Sequence, residues 1–338
     1  MKKYLKRTVF IIVIFAIVII EISLRLFYKQ ELSIRDDRDS IFLEDSVLFY
    51  IYRPNKNFIV GGITHQINSH GYIGHEILPK SPDTFRIAIV GACGVAGSVH
   101  QPSYFSFCPM LQQHFKDNGL KVEVLNCGID GQGRSLTLYR SIEYKVLQFE
   151  PDMILLEYDL PFYTDNATRE DYRGYKLTYP KTDPDALVRE KKMVDNLYKY
   201  EKWITFFCNS YIIRATARFY MFRAHNHFSY HIVLYHGKGI SLGDWKGVTF
   251  SMEESAKKMN SLKDKLASRG IQFFLFQYTK DTSRIQTAKE YQLPLISLNT
   301  NFEENDFFYK DDHWNENGCQ KIADRFFELI IKYQLIHE

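Results

Sequence analysis

The chain has 338 residues, of which 45% are hydrophobic and 25% charged, so it can bury a sizeable core as one large domain or two small ones. Its formal net charge of +3 is close to neutral and no basic stripe stands out, which argues against a nucleic-acid partner. None of the five cysteines forms a CxxC pair, so the sequence shows neither a zinc motif nor a disulfide scaffold.

An apolar segment opens the chain. Residues 8–26, TVFIIVIFAIVIIEISLRL, reach the roughly 20 residues that a bilayer-spanning helix requires. Glu21 and Arg25 interrupt its second half, but they are four residues apart and can pair on one helix face. Four positive charges precede the span: Lys2, Lys3, Lys6 and Arg7. We therefore expect a transmembrane anchor over residues 1–28, a cytoplasmic N-terminus and a C-terminal domain that is periplasmic or extracellular.

Two other interpretations of this segment fit the sequence less well. A cleaved signal peptide needs small residues after the apolar run, but residues 21–30 read EISLRLFYKQ and contain no A-x-A pattern. A buried core helix would not explain the basic cluster in front of the span. The sequence therefore favours a retained single-pass anchor.

Residues 29–84 are turn-rich, with Pro54-Asn55 and Gly61-Gly62, and we interpret them as a lead-in that packs on the main domain. From residue 85 to 338 apolar runs alternate with amphipathic ones. The predicted strands are 85–92, 121–128, 152–159, 271–279 and 293–299, and the predicted helices are 103–115, 135–149, 252–270, 282–292 and 318–335. This alternation predicts an α/β fold with a doubly wound, five-stranded parallel sheet of the flavodoxin-like type.

A less regular insertion interrupts the alternation at about residues 160–250, and its charged stretch 186–206 predicts a helix. It also contains four histidines among aromatic residues: His225, His227, His231 and His236. Their spacing is irregular, so a packing or membrane-facing surface is favoured over a metal site. The glycines near the first two strand ends do not form a nucleotide fingerprint, and no cofactor is expected.

Four motifs occur in the order and spacing found in a known family. They are INSHGYIGHE (67–76), RIAIVGACGVAG (86–97), EVLNCGIDGQG (123–133) and YKDDHWNENG (309–318). Over residues 45–335 the chain resembles the SGNH (GDSL-like) hydrolases, and EISLRL in the apolar segment resembles the start of their membrane-anchored members. The resemblance implies a catalytic site at the carboxyl edge of the sheet.

Several catalytic positions of the family are altered in this chain. The resemblance places the nucleophile on Cys93 instead of a serine, and the aspartate before it on Ala92. The oxyanion-hole glycine falls on Gly131, while the oxyanion-hole asparagine falls on or near Pro161, which has no N–H to donate. Cys93 can also be read as a small buried hydrophobic residue without a chemical role.

The acid–histidine pair of the family is retained. It falls on His313 and on Asp311 or Asp312, in the compact D-x-H form. In a triad the histidine accepts the proton of the nucleophile and the carboxylate orients the imidazole. The alternative is that His313 only orders the loop before the last helix.

Two functions follow from this mixture of retained and altered positions. The first is a catalytically impaired SGNH-like module, a membrane-attached scaffold or a partner of another membrane protein in the cell envelope. The alternative is an acyl esterase or O-acyltransferase that uses Cys93, His313 and Asp311, with a glycan or a lipid-linked acyl compound as substrate.

Cys93 and Cys127 raise a further question, because each lies near the end of a strand and the two strands are expected to be neighbours. Parallel neighbours lie ~4.8 Å apart, which is within the ~4.4–6.8 Å Cα separation of disulfides. A disulfide would block Cys93 as a nucleophile. The alternative is a pair of unlinked thiols.

Overall fold

A computed structural model gives the structure of the chain at residues 2–27, 42–45, 47–60, 63–97, 102–129, 136–158, 160, 167–172 and 175–180. Beyond these it describes residues 185, 187–189, 191–192, 195, 209–213, 215–216, 250–308 and 313–336.

The chain begins with helix α1 (Lys2–Phe27). Its part Lys6–Phe27 is long and apolar enough to cross a bilayer, and its most apolar stretch is not buried against the rest of the described chain. Side chains such as Phe10 and Phe15 are therefore exposed. Such a helix fits a membrane anchor or a signal sequence.

The lead-in forms two antiparallel hairpins. Strand β1 (Phe42–Asp45) pairs with β2 (Phe49–Tyr52), and β3 (Asn57–Val60) pairs with β4 (Ile63–Gln66). Apolar side chains of this segment are fully buried in the same cluster as residues of the main sheet; they include Leu48, Tyr52, Ile67 and Tyr72. These side chains of the lead-in thus share one core with the main sheet.

The remaining strands are β5 (Phe85–Gly91), β6 (Val122–Gly128), β7 (Met153–Glu157), β8 (Ala167–Tyr172), β9 (Tyr175–Pro180), β10 (Gln272–Gln277) and β11 (Leu295–Ser297). Five of them form one parallel sheet in the order β11-β10-β7-β5-β6. All five were predicted from the sequence, and the order is that of a flavodoxin-like sheet.

Helices cover both faces of this sheet. They are α2 (Cys93–Ala96), α3 (Phe107–Asp117), α4 (Leu136–Tyr144), α5 (Met252–Ala267), α6 (Thr282–Glu290) and α7 (Glu316–Lys332). In β5, Ile87 and Ile89 face the core that contains α3 and α7, whereas Ala88 and Val90 face the core of α4 and α5. Burial on both faces explains why the strand is continuously apolar, and it confirms the doubly wound prediction.

The insertion contains an element that the sequence did not predict. Strands β8 and β9 form an antiparallel hairpin with Tyr172 paired to Tyr175, directly after the β7 region. Strand β8 (ATREDY) is mostly polar and lacks an apolar period, and the alternation in β9 (YKLTYP) is short. Most of the predicted helix 186–206 and all four histidines of the aromatic stretch lie outside the described residues.

Candidate functional site

The carboxyl ends of three neighbouring strands meet at one edge of the sheet. Strand β5 ends at Gly91 and leads into α2, β7 ends at Glu157, and Tyr278 follows the end of β10. Because these strands are parallel and adjacent in the order β10-β7-β5, their ends lie side by side. Ligands of doubly wound folds bind at this edge.

Glu157 ties the turn after β5 to the end of β7. The backbone N–H of Ala92 donates to Glu157 Oε2 at 2.8 Å. Gly91 is required beside it, because a Cβ there would lie 2.5 Å from Glu157 Oε2 and 2.3 Å from Val95 Cγ2. At position 92, where the resemblance expects an aspartate, the side chain is therefore only a methyl group. The backbone N–H of Ala92 donates to the Glu157 carboxylate.

The loop before α7 reaches the same turn. A Cβ on Gly94 would lie 2.9 Å from Cζ3 of Trp314 and 2.9 Å from the hydroxyl of Tyr278. The Tyr278 and Trp314 rings are in contact, with centroids 4.3 Å apart. The residue after Cys93 thus packs against the residue after His313, and only glycine leaves room for both rings.

Tyr278 is the buried titratable group of this cluster. Burial raises its pKa well above the ordinary value, and the negative charge of Glu157 adds to this effect, followed by smaller contributions from Cys108 and Cys93. The side-chain contact of its hydroxyl with Glu157 also raises the pKa, although this contact falls outside the geometry of a standard hydrogen bond. The phenol therefore stays protonated at neutral pH.

The expected site residues have different outcomes. Cys93 is a half-buried free thiol at the first position of α2, and Ala92 is 9% exposed. His313 is half-buried, and its carbonyl accepts the N–H of Phe308 at 3.0 Å. Four other positions lie outside the described residues: Gly131, Pro161, Asp311 and Asp312. Their roles stay predictions.

Cys93 and Cys127 are unlinked, so the disulfide considered from the sequence is not formed. Cys127 lies within β6 with Val90 as its register partner, whereas Cys93 belongs to the helix after β5. Burial raises the pKa of Cys127 to about 12, since only 1% of the residue is exposed.

Sequence reasoning missed Glu157, Tyr278 and Trp314. A signal for Glu157 existed, because it is the charged residue that ends the otherwise apolar strand MILLE. Trp314 follows His313 directly, but a ring that packs across 220 sequence positions onto Gly94 leaves no local pattern.

No protein-family model and no curated protein matches the chain. Among solved structures, the chain is similar to the psychrotrophic esterase EstA from Pseudoalteromonas sp., with 12% identity, 74% of this chain and 99% of that chain covered, and a TM-score of 0.41. It is similar to a lipolytic protein of the G-D-S-L family from Desulfitobacterium hafniense, with 10% identity, coverages of 72% and 98%, and a TM-score of 0.37.

A lipase/acylhydrolase from Enterococcus faecalis is similar at 10% identity, with coverages of 74% and 96% and a TM-score of 0.38. At such low values, the fold assignment depends on the parallel strand order and the helices on both faces of the sheet. By that architecture, the chain has a doubly wound, five-stranded parallel α/β fold of the flavodoxin-like type.

Proposed function

We propose that the chain is a membrane-anchored SGNH-like module that is impaired in hydrolysis and serves the cell envelope as a scaffold or as a partner of another membrane protein. The observation that carries this proposal is the turn at the nucleophile position. Ala92 presents a methyl group there, its N–H is bound to Glu157, and a thiol stands at the next position.

The physical argument concerns charge that develops during acyl transfer. A tetrahedral intermediate needs hydrogen-bond donors around its oxyanion, and the resemblance assigns one of them to Pro161, which cannot donate. Losing one such donor slows acyl transfer by ~100- to 1000-fold. Together with the serine-to-cysteine exchange, this loss favours a cleft that binds or supports a partner over one that turns over esters.

The activity test uses purified full-length chain with p-nitrophenyl acetate and with a thiol-directed acyl probe. We expect the hydrolysis rate of the wild type to stay within about twofold of Cys93→Ala. A second variant, Cys93→Ser, restores a hydroxyl at the same position and checks whether the rest of the site supports turnover. An acyl adduct on Cys93 that disappears in His313→Ala would overturn the proposal.

A second candidate function is an acyl esterase or O-acyltransferase. The contact of Trp314 with Gly94 favours it, because this contact joins the two chain segments that carry His313 and Cys93. In this proposal Cys93 attacks the acyl carbonyl, His313 accepts the thiol proton and returns it to the leaving group, and Asp311 orients the imidazole. The N–H of Gly131 would stabilise the oxyanion.

The proposed topology rests on α1 and on the basic residues before its apolar part. The anchor is retained, and the domain after it lies outside the cytoplasm. Alkaline phosphatase fused after Glu338 is expected to be active, and carbonate washing is expected to leave the chain in the membrane fraction. A fusion that is active only as a cytoplasmic reporter would contradict the orientation.

A further inference from the structure

The polar pair in the second half of α1 contacts a distant segment of the insertion. Glu21 accepts hydrogen bonds from the hydroxyl of Ser210 at 2.9 Å, the N–H of Tyr211 at 2.8 Å and the N–H of Ile212 at 2.9 Å. It also pairs with Arg25, whose Nε lies 2.8 Å from Glu21 Oε1. The carboxylate therefore receives donors from its own helix and from a segment 189 to 191 positions away.

Arg25 contributes a second set of contacts to the same segment. Its Nη2 donates to the carbonyl of Asn209 at 2.7 Å. Its guanidinium also lies over the ring of Tyr211, 5.1 Å from the centroid, which is within cation–π range. Arg25 thus donates to a carbonyl of the segment, and Glu21 accepts from its N–H groups.

The backbone of the segment explains why a carboxylate suits it. Residues 211–213 are helical, and the first N–H groups of a helix have no acceptor within it. Ser210 accepts the N–H of Ile213 at 3.4 Å, while Glu21 takes the N–H groups of Tyr211 and Ile212. The remaining donors at this turn are thus satisfied by a charged acceptor from another helix.

The Glu21–Arg25 pair lies in the apolar helix α1, so it needs polar partners from elsewhere in the chain. An ionised carboxylate and guanidinium close to a bilayer are costly unless other polar groups surround them. A simple i,i+4 pair on an exposed helix contributes little, and it would leave most lone pairs of Glu21 to lipid or interfacial water. Glu21 is 20% exposed at its side chain, so the segment covers most of the carboxylate.

We infer that Glu21 and Arg25 form an anchor clamp, a docking surface on α1 whose occupant is segment Asn209–Ile213 of the same chain. The clamp holds this segment at the membrane surface, and this consequence rests on the proposed anchor. The insertion starts just after Leu160, close to Glu157 and the Cys93 turn. The clamp therefore fixes the middle of the insertion to the anchor.

Hydrogen–deuterium exchange of the full-length chain in lipid nanodiscs tests the clamp. In Glu21→Ala, the amides of Tyr211 and Ile212 should exchange about tenfold faster or more, because charge-assisted hydrogen bonds are lost. Glu21→Gln keeps an acceptor oxygen and should give a smaller increase. Glu253→Ala is the matched control, since Glu253 forms an i,i+4 pair with Lys257 at 2.7 Å on another helix.

Peptides from β5 and β7 report in the same experiment whether the domain stays folded. Unchanged sheet protection together with faster exchange at residues 211–212 supports the clamp. Equal exchange of residues 211–212 in the wild type and Glu21→Ala would overturn it. Carbonate washing of the same variants separates this result from the proposed anchor, because the clamp can be absent while α1 still holds the chain in the membrane.

Discussion

The two ends of the central sheet are built differently. At the amino end, Arg86 is 2% exposed, and its guanidinium donates to Glu123 Oε2 at 2.7 Å, to the carbonyl of Phe149 at 2.6 Å and to the carbonyl of Leu78 at 2.8 Å. One side chain thus joins β5, β6, the segment before β7 and the lead-in. Each of its three nitrogens has an acceptor, so the buried charge is compensated.

The carboxyl end leaves buried polar atoms without hydrogen bonds of standard geometry. Within the described residues these include the hydroxyl of Tyr278, Nε1 of Trp314 and Oδ1 of Asp306. Buried polar groups are normally paired, so each exception calls for an explanation such as strain, a bound water or a chemical role. The buried charge of Arg86 at the amino end is thus fully compensated, whereas the carboxyl end holds buried polar atoms that lack such partners.

The largest effect is expected at the amino end. Arg86→Leu removes the cation and leaves Glu123 and two carbonyls without their donor, so we expect a loss of about 3–5 kcal/mol of unfolding free energy. Urea unfolding of the full chain in detergent, followed by circular dichroism, measures it. Lys121→Ala is the control, because the Lys121–Asp83 pair is 3.6 Å apart and mostly exposed, and it should change stability by less than about 0.5 kcal/mol. Similar losses of unfolding free energy in Arg86→Leu and Lys121→Ala would contradict a special stabilising role of Arg86 at the amino end of the sheet.

The second prediction concerns close packing at the carboxyl end. A Cβ on Gly128 would lie 2.2 Å from the backbone N of Ala96, so Gly128→Ala must displace α2. We expect about 2–3 kcal/mol of destabilisation and a changed rate of Cys93 alkylation, since Cys93 begins α2. Gly119→Ala is the control for backbone strain without a steric clash, because φ at Gly119 is +71° and no atom lies within 4 Å of the added Cβ. We expect Gly119→Ala to lower the unfolding free energy by about 1 kcal/mol and to leave the alkylation rate of Cys93 unchanged. Unchanged alkylation in Gly128→Ala would contradict the close approach.

The third prediction uses the loop before α7. Burial pushes the pKa of Asp306 upwards, but the Lys321 ammonium, 2.7 Å away, and the N–H of Glu303 hold it below its ordinary value of 3.8. A carboxyl whose pKa is lowered by folding stabilises the fold above its unfolded pKa and loses that contribution as pH falls through the folded value. Asp306→Asn should therefore cost about 2 kcal/mol at neutral pH and less below about pH 4.

Urea unfolding of the wild type and Asp306→Asn at several pH values measures this difference. A gap that is independent of pH would show that the charge of Asp306 does not contribute. If the Lys321 ammonium is the main partner of Asp306, Lys321→Gln should also be less stable than the wild type at neutral pH, with a smaller difference below about pH 4.

The smallest effect is expected at Tyr278. Its hydroxyl has no hydrogen bond of standard geometry, so Tyr278→Phe should change the unfolding free energy by less than about 0.5 kcal/mol or raise it slightly. Thermal unfolding of both proteins gives the comparison. A loss of more than about 1.5 kcal/mol would show that the hydroxyl is paired with Glu157 in solution, and the carboxyl end would then resemble the amino end.

Much of the architecture could be predicted because it depends on local patterns. Strand β5 is apolar at every position from Ile87 to Val90, and that run alone predicts a strand buried on both faces. Helix α5 was predicted from its periodicity, and its Ser251–Glu254 capping box is also a local signal. The hairpin β8–β9 was missed, because β8 (ATREDY) lacks an apolar alternation and the alternation in β9 (YKLTYP) is short.

The sequence could predict only those residues of the candidate site that belong to a motif. Cys93, Ala92 and His313 follow from the order of the motifs, and whether Cys93 and His313 act together stays a prediction. Glu157 was not identified, because an acidic residue at a strand end is ambiguous until its partner is known. Its hydrogen bond to Ala92 links residues 65 positions apart and exists only after the two strands have become neighbours.

The sequence by itself determined which segments become strands and helices, that they alternate into a doubly wound sheet, and that an apolar helix opens the chain, because hydrophobic periodicity and length are written locally. Tertiary structure alone decided that every guanidinium nitrogen of Arg86 has an acceptor and that Trp314 fills the space left by Gly94. It also decided that Glu21 accepts hydrogen bonds from residues 210–212. These contacts join residues that are distant in the chain, and only the packing of the elements brings their atoms within reach of one another.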